Sequence, residues 1–209
     1  MGVPTIRPYP LPGHDEIPAN TVEWRLEPER CALLIHDMQR YFLAPFADAD
    51  LRSTLVERIE SVRKQCQAQG IPVIFTAQPQ LQSRTERGLL FDFWGAGPDR
   101  HTDIPEGLDI EGAVVLTKRR YSAFHGTRLL EILRADGREQ LLVCGVYAHI
   151  GCLATVLDAF MNDIQPFAIA DAMGDFSLDH HLFALRHIAT RCGVVTTAGE
   201  VGLALEPAA

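Results

Sequence analysis

Six short runs of mostly apolar residues recur along the chain, and they constrain its fold more than any other feature. The runs cover 31–37, 71–77, 113–118, 140–145, 166–170 and 193–197. Nearly continuous apolar runs of this length are typical of strands that are buried on both faces of a parallel sheet. We therefore predict a mostly parallel, six-stranded sheet at the centre of the protein.

Helical patterns separate these strands. They cover 51–69, 126–136, 151–162 and 178–191. In the first of them, the apolar residues Leu51, Leu55 and Ile59 recur every four residues and so share one helix face. Alternating strands and helices predict a doubly wound α/β fold, with helices on both faces of the sheet. In such folds the functional groups lie just beyond the carboxyl ends of the strands.

The chain length of 209 residues fits one sizeable α/β domain and is short for two. Six prolines precede residue 31, and no periodic pattern accompanies them. We expect an arm over residues 1–30 that packs on the domain, a single domain over 31–201, and a C-terminal tail over 202–209.

Charge and hydropathy exclude several classes of partner. A net charge of −8 argues against nucleic acid and anionic membranes, which need clustered Lys and Arg. No apolar stretch approaches the roughly 20 residues of a membrane span, and the N-terminus lacks the pattern of a secretion signal. The five cysteines and eight histidines form no metal-ligand pattern. We expect a cytoplasmic protein with reduced thiols, no metal site and no cofactor.

Two charged side chains stand at the ends of predicted strands. Asp37 follows the first strand, where burial would let a carboxylic acid hold or deliver a proton near neutral pH; the alternative is an N-cap for the next turn. Lys118 ends the third strand. It is either a charge partner for Asp37 and an anchor for a substrate carboxylate, or an exposed strand end in a basic cluster with Arg119 and Arg120.

Further candidates have an equally plain structural alternative. Gln78 either orients a polar substrate group or caps a turn, and Arg87 either binds a carboxylate or is a surface residue. The apolar residues of 89–94, with Phe42 and Tyr147, either cover a ring-shaped ligand or belong to the core.

The segment 145–152 joins the fourth strand to the next helix, a position that commonly presents a nucleophile or an oxyanion site. No Gly-x-Ser-x-Gly, Gly-x-Gly-x-x-Gly or Walker-type loop occurs, which argues against a serine hydrolase, a dinucleotide enzyme and a P-loop NTPase. His36 and His149 are interpreted as structural histidines beside apolar runs. His180 and His181 are interpreted as surface residues or a helix start rather than as ligands.

Six stretches together resemble the isochorismatase-like hydrolases, a superfamily that includes the nicotinamidases. They are LLIHDMQRYF (33–42), FTAQP (75–79), RGLLFDFWG (87–95), LTKRRYSAFHGT (116–127), CGVYAHIGC (144–152) and DAFMNDIQPF (158–167). The similarity is greatest to the isochorismatases of siderophore pathways and the 2-amino-2-deoxyisochorismate hydrolases of phenazine pathways. It extends from Pro4 to Glu200.

The resemblance implies a hydrolase without a thiol nucleophile. Nicotinamidase-type relatives carry a nucleophilic cysteine where this chain has Gly151, and a helix turns the next residue, Cys152, about 100° away. Their metal-binding loop is also missing, because 78–80 reads Gln-Pro-Gln. The implied reaction is protonation of an enolpyruvyl vinyl ether by Asp37, followed by water addition and release of pyruvate and a cyclohexadiene. Lys118 would hold Asp37 and a substrate carboxylate.

The resemblance also assigns the rest of the site. It implies that the substrate is positioned by the side chains of Gln78, Arg87 and Tyr147 and by the backbone N–H of Gly151. Phe42 and Trp94 would form the pocket walls. Relatives carry a cis peptide bond at the position of Val146–Tyr147, many have Trp where this chain has Arg119, and a homodimer is expected.

The substrate and the activity each keep an alternative. The chain length and the stretches DMQRYFL and RGLL slightly favour 2-amino-2-deoxyisochorismate, whereas HIGC and YSAFH favour isochorismate. Either would be a small anionic, chorismate-derived substrate. The alternative to an enzyme is a non-catalytic platform of the same fold that docks a carrier protein or another pathway partner.

Overall fold

The computed structural model describes residues 3–206, and it contains a six-stranded sheet in which every neighbouring pair is parallel. The strands are β1 (Cys31–His36), β2 (Val73–Ala77), β3 (Val114–Thr117), β4 (Gln140–Val146), β5 (Gln165–Gly174) and β6 (Val194–Thr196). Their order across the sheet is β3-β2-β1-β4-β5-β6. The predicted doubly wound α/β fold is confirmed, and all six predicted strands form.

Helices cover both faces of this sheet. They are α1 (Arg40–Leu43), α2 (Ala49–Ala68), α3 (Arg84–Arg87), α4 (Leu90–Trp94), α5 (Leu129–Ala135), α6 (Leu153–Met161), α7 (Leu178–Arg191) and α8 (Ala198–Leu205). Alternate residues of β1 point to opposite layers: Leu33 packs in the layer of α2 and α8, and Leu34 in the layer of α5, α6 and α7. Burial on both faces explains why the strand reads as a continuous apolar run.

The strand order reverses direction at the centre of the sheet. From β1 the chain moves outward through β2 to β3, then returns to the other side of β1 as β4. The turns after β1 and β4 therefore leave toward opposite faces and open a crevice between them, which is where doubly wound sheets bind ligands. Asp37 follows β1, and the segment 145–152 covers the last two residues of β4 and the turn that follows it.

Some predicted boundaries and burial patterns are wrong. Helix α8 extends from Ala198 to Leu205 and buries Val201 and Leu205, so 202–205 belong to the domain instead of to a tail. The rest of the predicted tail is Glu206, which ends α8, and 207–209, which lie outside the described residues. Strand β3 forms one edge of the sheet and leaves its residues largely exposed, so burial on both faces fails for it.

The Pro-rich N-terminal segment packs along the domain over its described part. Ile6 is fully buried and forms a bridge with Phe46. The hydroxyl of Tyr9 accepts a hydrogen bond from the backbone N–H of Asp175, and the amide of Asn20 donates to the carbonyl of Val195. Within residues 3–206, no helix combines the length and the apolar character needed to cross a bilayer.

Candidate active site

A cavity of about 510 Å³, counting the space at its open mouth, lies at the carboxyl ends of β1 to β4. All eight residues predicted from the sequence line it: Asp37, Lys118, Gly151, Gln78, Arg87, Tyr147, Phe42 and Trp94. Its size suits a drug-sized metabolite. Asp171, in β5, does not line this cavity, and its carboxylate pairs with Arg58.

The carboxylate of Asp37 is held by three side chains. Its Oδ2 lies 2.8 Å from Nζ of Lys118 and accepts a hydrogen bond of 3.0 Å from Nε2 of Gln78. Its Oδ1 accepts a hydrogen bond of 2.7 Å from the hydroxyl of Thr76, which in turn accepts from the backbone N–H of Asp37. The N-cap alternative is therefore wrong, because the side chain faces the cavity instead of a helix terminus.

Burial and neighbouring charge act on Asp37 in opposite directions. Desolvation alone would raise its pKa, but the ammonium of Lys118 and the hydrogen bond from Gln78 outweigh it, and the pKa of Asp37 lies below its ordinary value. Asp37 is therefore an ionised carboxylate at neutral pH. A bound anion that neutralises Lys118 would reverse this balance.

Lys118 is almost fully buried, at 1% exposure, so the interpretation as an exposed strand end is wrong. Besides Asp37, its ammonium contacts the backbone carbonyl of Arg120 at 2.8 Å. Arg119 and Arg120 turn outward, where they contact the carboxylate and the carbonyl of Glu86 respectively. The three consecutive basic residues therefore do not act as one solvated cluster.

Arg87 is buried as well, with 3% exposure. One terminal nitrogen donates to Oε1 of Gln78 at 2.8 Å, which connects Arg87 through Gln78 to Asp37. Its Nε has no partner, and no carboxylate in residues 3–206 lies within ion-pair distance of it. Desolvation lowers the pKa of Arg87 below its usual value. A buried guanidinium without a counter-ion is costly, and it is suited to receive an anion.

Aromatic side chains form the walls, and their polar atoms are partly engaged. The indole N–H of Trp94 donates to the hydroxyl of Tyr121 at 2.8 Å. The hydroxyl of Tyr147 donates to the backbone carbonyl of Phe42 at 2.6 Å, so toward a ligand its oxygen can only accept a hydrogen bond. Phe176 packs against Tyr147 with ring centroids 4.7 Å apart.

Sequence reasoning did not single out three of these groups: Thr76, Tyr121 and Phe176. Thr76 lies inside an apolar run and its role arises from the parallel pairing of β1 with β2. Tyr121 lies within one of the six family-like stretches, but only its position in the fold brings it to Trp94. Nothing in the sequence around Phe176 indicated a position in the cavity wall.

The segment after β4 begins with a cis peptide bond between Val146 and Tyr147, as the resemblance implied, and continues as a π-helical turn over Ala148–Cys152. Gly151 lines the cavity, whereas Cys152 is fully buried and does not. Burial raises the pKa of the Cys152 thiol well above its usual value. The expectation that Cys152 points away from the site is confirmed.

No cluster of three metal-ligating side chains occurs among residues 3–206. His36 and His149 are both satisfied inside the fold, the latter by the carboxylate of Asp175. His181 is fully buried beside Tyr9, so a surface position is wrong for it, whereas the alternative of a helix start is confirmed, because His180 and His181 lie in the first turn of α7.

Comparison with known proteins identifies the family. The Isochorismatase domain matches residues 31–200. The chain is 48% identical to the phenazine biosynthesis protein PhzD of Pseudomonas fluorescens, over 97% of this chain and 99% of that protein. It is 44% identical to enterobactin synthase component B of Escherichia coli K12, over 96% of this chain and 72% of that protein.

Solved structures support the same fold. A cysteine hydrolase from Pseudomonas syringae pv. phaseolicola superimposes with a TM-score of 0.79 at 24% identity, over 90% of this chain and 97% of that one. The matched domain and the full-length similarity agree with the site geometry, and this chain belongs to the isochorismatase family.

Proposed function

We propose that this protein hydrolyses the enolpyruvyl vinyl ether of an isochorismate-type substrate, in secondary metabolism, with Asp37 as the proton donor. The observation that carries the proposal is a buried carboxylate held by Lys118 beside Arg87, a buried cation without a counter-ion among the described residues. Family membership and similarity to PhzD and to enterobactin synthase component B support the same reaction class.

The charges of the cavity fit a dianion. Lys118 and Arg87 contribute two positive charges and ionised Asp37 contributes one negative charge. Burial, and then the nearby Lys118, lower the pKa of His36 to about 4, so His36 is neutral at pH 7. A substrate with two carboxylates and an uncharged ring substituent, a hydroxyl or a neutral amine, would leave the site one charge too negative. Protonation of Asp37 restores neutrality, so substrate binding raises the pKa of Asp37 and places a proton on the acid.

The reaction then needs one acid and one water molecule. Asp37 gives its proton to the terminal methylene carbon, which leaves an oxocarbenium ion at the ether carbon. Water adds to that carbon, and the resulting hemiketal collapses: its hydroxyl oxygen becomes the ketone of pyruvate, and the hydroxyl proton passes to the ring oxygen, which leaves as the alcohol. The proton lost by the added water replaces the one that Asp37 gave. No covalent bond to the protein forms, in keeping with glycine at position 151.

For the substrate, we propose a slight preference for 2-amino-2-deoxyisochorismate over isochorismate. The identity to PhzD, at 48%, is slightly higher than the 44% identity to enterobactin synthase component B and supports this preference. Steady-state kinetics on the two substrates, side by side, test this preference directly. A kcat/KM clearly higher for isochorismate would reverse it.

The primary test is pyruvate release, measured with lactate dehydrogenase and NADH. Wild-type protein should release one pyruvate per substrate consumed. Asp37→Asn should abolish turnover and still bind substrate, because the amide keeps the shape of the carboxyl group. Cys152→Ala is the control and should leave the rate nearly unchanged. Absence of pyruvate with both substrates would refute the enzymatic function, and full activity in Asp37→Asn would refute the role of Asp37.

The assembly and location of the protein are further parts of the proposal. We propose a homodimer, which sedimentation velocity tests. Five free and buried cysteines support a reducing, cytoplasmic environment. The alternative of a non-catalytic platform for a carrier protein is disfavoured, because burial of Asp37 and Lys118 is costly and serves no purpose in a scaffold.

A further inference from the structure

His36 is a buried titratable residue of the cavity to which the proposed reaction gives no role. It ends β1, directly before Asp37, and is 1% exposed. Its Nδ1 lies 2.9 Å from the carbonyl oxygen of Val146, and its Nε2 lies 3.1 Å from the carbonyl oxygen of Tyr121. Because a neutral imidazole carries one N–H, it donates to one of these carbonyls at a time.

The imidazole also occupies the space beside Gly151. A Cβ atom on Gly151 would lie 2.2 Å from Cε1 of His36, 2.9 Å from Nε2 and 3.0 Å from Nδ1. Carbon atoms in contact are normally separated by about 3.5–4.0 Å. No side chain of any kind therefore fits at position 151 while His36 holds this position.

Neither the imidazole of His36 nor the backbone of Gly151 can easily move to make room for a Cβ atom. The ring of His36 is enclosed, and both of its nitrogens face carbonyl oxygens. A change of rotamer would therefore leave the carbonyls of Val146 and Tyr121 without their contacts to the imidazole. The backbone of Gly151 is anchored in the π-helical turn, where its carbonyl accepts a hydrogen bond of 2.7 Å from the hydroxyl of Thr155.

We propose that His36 is the positioning residue that commits this site to acid catalysis, because its imidazole excludes any side chain, and hence any thiol nucleophile, from position 151. The same ring joins the end of β1 to the loop that carries Tyr121 and to the segment after β4. The inference deepens the proposed function and rests on it for the chemistry, whereas the exclusion itself is purely steric.

The first experiment is a double-mutant cycle on thermal unfolding. Gly151→Ala should lower the Tm by roughly 3–10 °C, as expected for overpacking in a domain of this size. In the His36→Val background, the same change should cost little or raise the Tm, because the ring is gone. Gly199→Ala is the matched control: an added Cβ there meets only Thr197, at 3.9 Å, and should not lower the Tm.

A second experiment asks whether a thiol can enter the site. All five natural cysteines are buried, so the folded wild-type protein should react slowly with an aromatic disulfide reagent. His36→Val/Gly151→Cys should show one additional fast-reacting thiol per chain, which His36→Val alone should not. A merely structural role for His36 would not produce this new, stoichiometric reactivity.

The outcomes separate the two proposals. An equal cost of Gly151→Ala in both backgrounds would overturn the exclusion, as would a Gly151→Cys single variant that is as stable and as reactive as the double variant. If Gly151→Ala does not fold, recovery of folded protein in the double variant supports the proposal and its failure overturns it. Neither measurement needs turnover, so absence of pyruvate release from wild-type protein would refute the proposed function alone.

Discussion

Replacement of Lys118 by methionine tests the electrostatics of the site most directly. Methionine has nearly the volume of the lysine stem, so the change removes the charge with little effect on packing. In the wild-type protein, Lys118 Nζ lies 2.8 Å from Asp37 Oδ2, and both residues are at least 95% buried. With an effective dielectric constant of about 20, Coulomb's law gives an attraction of about 6 kcal/mol at this distance.

Part of that attraction offsets the desolvation of the two charges, so the measurable loss is smaller. Removal of one partner of a buried ion pair typically costs about 3–5 kcal/mol. We expect Lys118→Met to lower the free energy of unfolding by that amount at pH 8. The loss has an upper limit, because Asp37 can take up a proton once its pKa rises.

The pH dependence of the loss identifies its cause. The lowered pKa of Asp37 in the wild-type protein stabilises the fold above the unfolded-state pKa of about 4, and this contribution is lost as the pH falls through the folded-state value. In Lys118→Met, burial dominates and raises the pKa of Asp37. Stability is then greatest below the unfolded-state pKa and falls as the pH rises through the folded-state value. The difference between the two proteins should therefore grow from pH 4 to pH 8.

Urea unfolding at several pH values between 4 and 8 measures this difference. The matched control is Lys64→Met, which removes the only other lysine of the chain. Lys64 is 69% exposed and forms a surface pair with Glu60, so its loss should cost less than about 1 kcal/mol at every pH. A difference between wild type and Lys118→Met that does not change with pH would refute the reasoning, because it would indicate lost packing instead of a lost charge pair.

Three further predictions concern catalysis. Arg87→Met should raise KM by roughly 10- to 150-fold, which corresponds to the free energy of a hydrogen bond to a charged group, and should not lower the stability of the fold. The control in the same pyruvate assay is Arg84→Met, at an exposed position. In pH–rate profiles, kcat/KM should fall about tenfold per pH unit above the lowered pKa of Asp37. The value of kcat should persist to higher pH, because bound substrate raises that pKa. Identical pH profiles of kcat and kcat/KM would contradict the idea that substrate binding protonates Asp37. Thr76→Val should move the kcat profile to higher pH, since Asp37 loses a hydrogen bond that favours its ionised form, and Thr76→Ser should restore it.

The sheet and the positions of the main charged groups could be predicted from the sequence because parallel strands bring their carboxyl ends to one edge. This rule places Asp37 near Lys118 without any knowledge of side-chain contacts. Helix α8 was missed because two glycines in Ala198–Leu205 weaken its helical pattern. A signal was nevertheless present: Thr197 and Glu200 form a capping box, recognisable as Thr-x-x-Glu, and Ser83 with Glu86 does the same for α3.

The sequence could not show which individual charged side chains are buried. Arg87 lies on a four-residue helix whose sequence, Arg-Thr-Glu-Arg, is that of a solvated surface turn. Only tertiary packing distinguishes it from Arg84, three residues earlier, which is exposed and pairs with Asp92. Burial without a counter-ion is a property of the fold, and it is the property that indicates an anionic substrate.

The origin of each group suggests how catalysis and substrate choice are divided within the site. Asp37 and the segment after β4 follow adjacent central strands that are paired in register from Cys31 with Gln140 to His36 with Gly145. The acid and Gly151 are therefore held by the sheet itself.

Arg87 and Trp94 come from the short helices α3 and α4. In the same segment, Leu89 and Phe93 are 80% and 65% exposed. The stability of the central strands keeps the proton donor in place, whereas the weakly packed segment can change with little cost to the fold. Differences in substrate between members of this fold should accordingly arise in the segment that carries Arg87, and loss of the reaction should arise at the ends of β1 and β4.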